Sequence, residues 1–89
     1  MIERETEIVN RLGLHARAAA KLVHTAGNFQ SRVTLVKEGE EVDAKSILGV
    51  LLLAACQGTA VTIRCEGQDE HEALTAVTQL IANRFDEES

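Results

Sequence analysis

The sequence predicts an α+β fold, a two-layer open-faced sandwich in βαββαβα order. A four-stranded antiparallel sheet would carry three helices on one face. Three observations carry this prediction. Thr59–Glu66 alternates, with Val61, Ile63 and Cys65 facing one way and Thr62, Arg64 and Glu66 the other, as a half-buried strand does. Glu38-Gly39 is a turn signal between two strand-like runs, Ser31–Lys37 and Glu40–Asp43, and so predicts a hairpin. The segments between these strands have helical spacing and helix boundary residues.

Taken in order, Ile2–Val9 has strand character, with Thr, Ile and Val among charges, although its alternation is imperfect. Asn10–Leu14 reads as a loop carrying Gly13. Ala16–Ala26 reads as a helix: four of its first five residues are alanine, the strongest helix former. Ala16, Ala19, Ala20 and Val23 fall at i, i+3, i+4 and i+7 and define its expected inner face. Gly27-Asn28 stops it, and Phe29 is expected to cap the core. Val33 and Leu35 share one face of the second strand. Ser46 is a suitable N-cap for a second helix, Ile47–Leu53. That helix is apolar nearly all round, so one side must be exposed or meet a partner. Gly58 opens a turn before the fourth strand and Gly67 ends that strand. Asp69, with Glu72 three residues later, resembles a capping box for the third helix. Ala73, Val77, Leu80 and Ile81 form its core stripe.

Composition narrows the function. A chain of 89 residues is expected to form one domain, with room for a core but not for a deep substrate cavity. With 45% hydrophobic and 26% charged residues, it is expected to be ordered. The net charge of −5 argues against a nucleic-acid footprint. Two Phe, with no Trp or Tyr, provide no stacking platform for single strands. Residues Met1–Asn10 are charged rather than apolar, so no secretory signal is expected. The longest apolar run, Val50–Cys56, is seven residues, far short of a membrane span. A soluble cytoplasmic protein is expected. Cys56 and Cys65 lack Cys-x-x-Cys spacing and read as reduced, small apolar residues. No spacing of His, Cys and carboxylates supports a metal site, and no cofactor is expected.

The chemistry concentrates in Gly13-Leu14-His15-Ala16-Arg17. Here a histidine stands where a turn becomes a helix. Imidazole is a nucleophile near neutral pH. A helix start presents unpaired N–H groups and a positive dipole end, which suit an anion. The amides of Ala16, Arg17 and Ala18 lie there, and Arg17 adds a charge-assisted clamp for phosphate oxygens. Alone, the motif also fits a solvated, idle turn histidine. His24 falls on the opposite side of the helix from His15, so the two cannot easily share a metal. His71 reads as a solvated first-turn residue and Lys45 as an exposed lysine.

Two motifs in register, Gly13-Leu14-His15-Ala16-Arg17 and Ala44-Lys45-Ser46-Ile47-Leu48-Gly49, resemble the HPr phosphocarrier family of the bacterial phosphotransferase system. The order of elements agrees, and the likeness covers essentially the whole chain. The tail Phe85-Asp86-Glu87-Glu88 also resembles the nitrogen-related branch of that family, which leaves the subtype open. The resemblance implies a carrier rather than an enzyme. Enzyme I would phosphorylate His15 at Nδ1, and His15 would pass the group to a downstream enzyme IIA-type protein. Arg17 would pair with phosphate oxygens, and Ser46 would be a regulatory site for a serine kinase/phosphorylase. Ile47, Leu48 and Leu51, with Ala20, are the expected docking patch, although each reads equally well as core. The protein is expected to be a monomer. A regulatory phosphoprotein acting through protein–protein contacts is the alternative. One departure stands out: the family usually has proline after the arginine, and this chain has Ala18.

Overall fold

The computed structural model describes residues 1–89. Its elements are β1 (Ile2–Glu7), α1 (Ala16–Gly27), β2 (Arg32–Lys37), β3 (Glu40–Asp43), α2 (Ile47–Leu53), β4 (Ala60–Glu66) and α3 (Glu70–Ala82), followed by a 3-10 turn at Arg84–Asp86. The sheet order is β1-β4-β2-β3, antiparallel throughout. Ile2 stands opposite Cys65 in β4, and Cys65 opposite Val33 in β2, so the apolar alternation of all three strands is in phase. This is the predicted sandwich. Val33, Leu35, Val61, Ile63 and Cys65 enter the core from the sheet. On the open face Arg64 binds Glu3 and Glu41, each at 3.1 Å. These ion pairs are exposed and add little stability. No helix is long and apolar enough to cross a membrane.

Four local expectations are corrected. First, α1 buries Ala18, Ala19, Leu22 and Ala26, while Ala16 and Ala20 are exposed and Val23 is half-buried. A run of alanines does not define a face; Leu22, the largest buried side chain of α1, sets the rotation. Second, α3 has no capping box. The Asp69 carboxylate accepts hydrogen bonds from the Gln30 and Ser31 amides, both at 2.9 Å, and from the Ser31 hydroxyl. It therefore ties α3 to the α1–β2 loop instead of capping its own helix. The Ser31 hydroxyl bond, followed by the Gln30 amide bond, holds the Asp69 carboxyl below the usual range. α3 also buries Leu74 and Thr78, while Leu80 is only half-buried. Third, Cys56 is exposed and only Cys65 is buried. Fourth, Lys45 is half-buried, and its Nζ donates to the Phe29 carbonyl at 2.7 Å.

Candidate functional site

The loop before α1 is fixed from beneath. Leu14 N–H donates to the Ala55 carbonyl at 2.9 Å. Gly13 has φ +67, and a Cβ there would meet the Ala55 oxygen at 2.6 Å, so only glycine fits. Asn10 is fully buried, and its Nδ2 donates to the Gly13 carbonyl at 2.8 Å. The motif glycine and Asn10 thus seat the loop on the chain that leaves α2.

His15 is the N-cap of α1, with extended backbone (φ −73, ψ 178). Its Nδ1 accepts the Arg17 N–H at 3.3 Å. An atom that accepts an N–H carries a lone pair, so the ring proton of neutral His15 resides on Nε2. Nε2 is hydrogen-bonded to Oε2 of Glu87. The other carboxylate oxygen of Glu87 accepts from Asn10 Nδ2 at 3.0 Å. Arg17 is mostly exposed, with its Nε 3.9 Å from Glu87. The N–H groups of Ala16 and Ala18 make no hydrogen bond. Burial pushes the Glu87 carboxyl up. The bonds from Asn10 and His15, with the charges of His15 and Arg17, outweigh it and hold the group below the usual carboxylate range.

The site is therefore a surface histidine, 24% exposed, with Nε2 engaged by Glu87 and Nδ1 unprotonated. The Nδ1 lone pair is held only by the long 3.3 Å bond from the Arg17 amide, which an incoming group displaces. A guanidinium and two uncommitted amides stand beside it. A shallow groove lined by Arg17, Ala20, Lys21 and His24 runs along α1 from this point. Sequence reasoning found His15 and Arg17 but missed Glu87 and Asn10.

Ser46 caps α2, its Oγ accepting from Gly49 N–H at 3.1 Å. Replacing Ser46 with alanine is expected to cost about 1 kcal/mol, read as a lower denaturation midpoint. Beyond it, Ile47, Leu48 and Leu51 are exposed, as is Ala20. Leu52, at 67% exposure, and Leu12, at 57%, are also exposed. Neither was expected in the patch. Val50 and Leu53 are the buried side of this helix.

Residues 2–83 match the family described as PTS HPr component phosphorylation site. The chain belongs to the HPr family. It is 55% identical over its whole length to the whole of the phosphocarrier protein HPr of Xylella fastidiosa strain Temecula1. The crystal structure of HPr-C-His from Thermoanaerobacter tengcongensis superposes with a TM-score of 0.97, at 45% identity and with complete coverage of both chains. The catabolite-repression protein Crh of Bacillus subtilis, solved as a swapped dimer, matches 94% of this chain and 97% of its own. Its identity is 40% and its TM-score 0.76. The HPr assignment makes this chain a phosphocarrier component of the phosphotransferase system.

Ala18, where the HPr resemblance leads one to expect proline, is the third residue of α1. Because its N–H makes no hydrogen bond, proline there removes none. Ala18→Pro is expected to raise stability by about 0.4–1 kcal/mol in thermal unfolding. It removes one of the three amides at the helix start, and phosphoryl acceptance should persist on the Ala16 and Arg17 amides that remain.

Proposed function

We propose that this chain accepts a phosphoryl group from enzyme I on Nδ1 of His15 and delivers it to a downstream enzyme IIA-type protein. Enzyme I is itself charged from phosphoenolpyruvate. The observation that carries this reading is the Arg17 amide bond to Nδ1, because it leaves the lone pair of His15 on the nitrogen at the helix start. The bond from donor to phosphorus breaks as the Nδ1–P bond forms. Arg17 swings onto the phosphate oxygens, and the amides of Ala16, Arg17 and Ala18 face the arriving charge. Each contact with the helix dipole contributes on the order of 0.3–1 kcal/mol, enough to hold the group and too little to trap it. The partner supplies most of the positioning, so an open site suffices.

In this reading Ile47, Leu48, Leu51 and Ala20 form the docking patch, extended by Leu12 and Leu52. Ser46 is the regulatory residue of a serine kinase/phosphorylase. A phosphate there adds about −1.5 to −2 charge, favours the start of α2 and repels an acidic partner. The chain acts as a single-domain cytoplasmic monomer and carries the group without turning over substrate alone. The second reading, a regulatory phosphoprotein, draws support from Ser46 at its cap position and from the likeness to Crh.

The test is incubation with enzyme I and phosphoenolpyruvate, followed by intact mass. One acid-labile phosphoryl group is expected, absent in His15→Ala. An acid-stable adduct that persists in His15→Ala would overturn the carrier reading in favour of serine.

A further inference from the structure

We propose that Glu87 is a positioning residue for phosphoryl transfer: its carboxylate holds the Nε2–H of His15, keeps Nδ1 as the only nucleophilic nitrogen, and keeps the attached group transferable. The inference rests on the carrier reading and deepens it.

The carboxylate is placed with unusual firmness for a tail residue. Phe85, two residues before it, is fully buried. Lys21 Nζ donates to the Phe85 carbonyl at 2.7 Å. Arg84, Phe85 and Asp86 all have left-handed φ, 58, 53 and 62, and this turns the chain back towards the start of α1. Non-glycine residues adopt that conformation at a cost, so the surrounding contacts hold it there. Asn10, itself fully buried, fixes one oxygen of Glu87, which leaves the other for His15. The Glu87 side chain is only 10% exposed, so water competes weakly for its oxygens.

The chemistry follows from the proton on Nε2. A neutral ring attacks through Nδ1, the Nδ1–P bond forms, and the donor–phosphorus electron pair returns to the donor. The ring now carries a positive charge and retains the Nε2 proton, with Glu87 opposite it. In onward transfer the P–Nδ1 pair returns to the ring, which leaves as neutral imidazole with its Nε2 proton still in place. Had Nε2 lost that proton, the leaving group would be imidazolate, which is far poorer. Glu87 therefore favours the charged phosphoimidazole, the form that releases its group. It binds the ring nitrogen remote from the phosphoryl group. Arg17, whose Nε lies 3.9 Å from Glu87, offsets the repulsion between the two anions.

Glu87→Gln tests this, with Glu88→Gln as the control for loss of one tail charge. Free protein labelled with 15N-histidine is examined first by NMR. Wild type and Glu88→Gln should hold His15 as the Nε2–H tautomer. Glu87→Gln should show a measurable Nδ1–H fraction, because the 3.3 Å bond from the Arg17 amide is then left to hold the tautomer without the carboxylate. The proteins are then phosphorylated with phosphoramidate, and loss of the group is followed by 31P NMR. Glu87→Gln should release it about tenfold more slowly, the difference between a charge-assisted and a neutral hydrogen bond. Equal tautomers and equal lifetimes in all three proteins would overturn the proposal, as would equal slowing in Glu87→Gln and Glu88→Gln. The tautomer measurement needs no partner, so it stands even if enzyme I fails to charge wild type, an outcome that would count against the carrier reading alone.

Discussion

Phe85→Ala is expected to lower stability by about 3–5 kcal/mol, the cost of emptying a phenyl-sized site in a packed core. Phe85 is the largest fully buried side chain in the molecule, and it lies only four residues from the C-terminal Ser89. It joins Ile81 of α3 and Leu22 of α1 in one buried cluster, and its carbonyl receives Lys21. A domain this small has a total stability of about 5–15 kcal/mol, so the loss is a large share. Denaturant unfolding measures it directly. The same substitution should free Glu87 from His15, so the tautomer should become mixed in whatever fraction remains folded. A loss below about 1 kcal/mol would mean that the tail is not anchored as described.

Leu48→Glu is expected to act the other way, on function without stability. Leu48 is 63% exposed, so its replacement should change stability by no more than about 0.5 kcal/mol. If α2 is the docking surface, a buried charge at its centre removes a hot spot worth at least about 2 kcal/mol. The apparent kcat/KM for phosphorylation by enzyme I should then fall about 30-fold or more. The effect should lie in KM, with the rate at saturating partner preserved, because the substitution leaves His15 untouched. Ser46→Asp should act in the same direction and keep the helix cap. A Leu48→Glu protein phosphorylated at the wild-type kcat/KM would remove α2 from the interface.

Much of the fold was legible because its signals are local. The alternation of Val61, Ile63 and Cys65, the Glu38-Gly39 turn and the Ser46 cap each depend on a few adjacent residues, and the structure has all three. Glu38 and Gly39 both take positive φ there, 51 and 82, as a tight hairpin turn requires. The site was half legible. His15 and Arg17 lie two residues apart, so one motif holds both. Glu87 is 72 residues away from His15 and reaches it only through three consecutive non-glycine residues of positive φ, a conformation no local preference announces. Asn10 was hidden because it opens the loop Asn10–Leu14, where an asparagine reads as an ordinary turn residue. Asp69 misled for the opposite reason: the local capping pattern was present, but a tertiary partner, Ser31, took the carboxylate.

The most direct measurement of the central claim is 31P–15N NMR of protein labelled with 15N-histidine and charged by enzyme I and phosphoenolpyruvate. Coupling of phosphorus to Nδ1 of His15 is the expected result, since Nε2 is engaged by Glu87 and Nδ1 faces the helix amides. Coupling to Nε2, or a phosphorus signal with no histidine nitrogen attached, would contradict it.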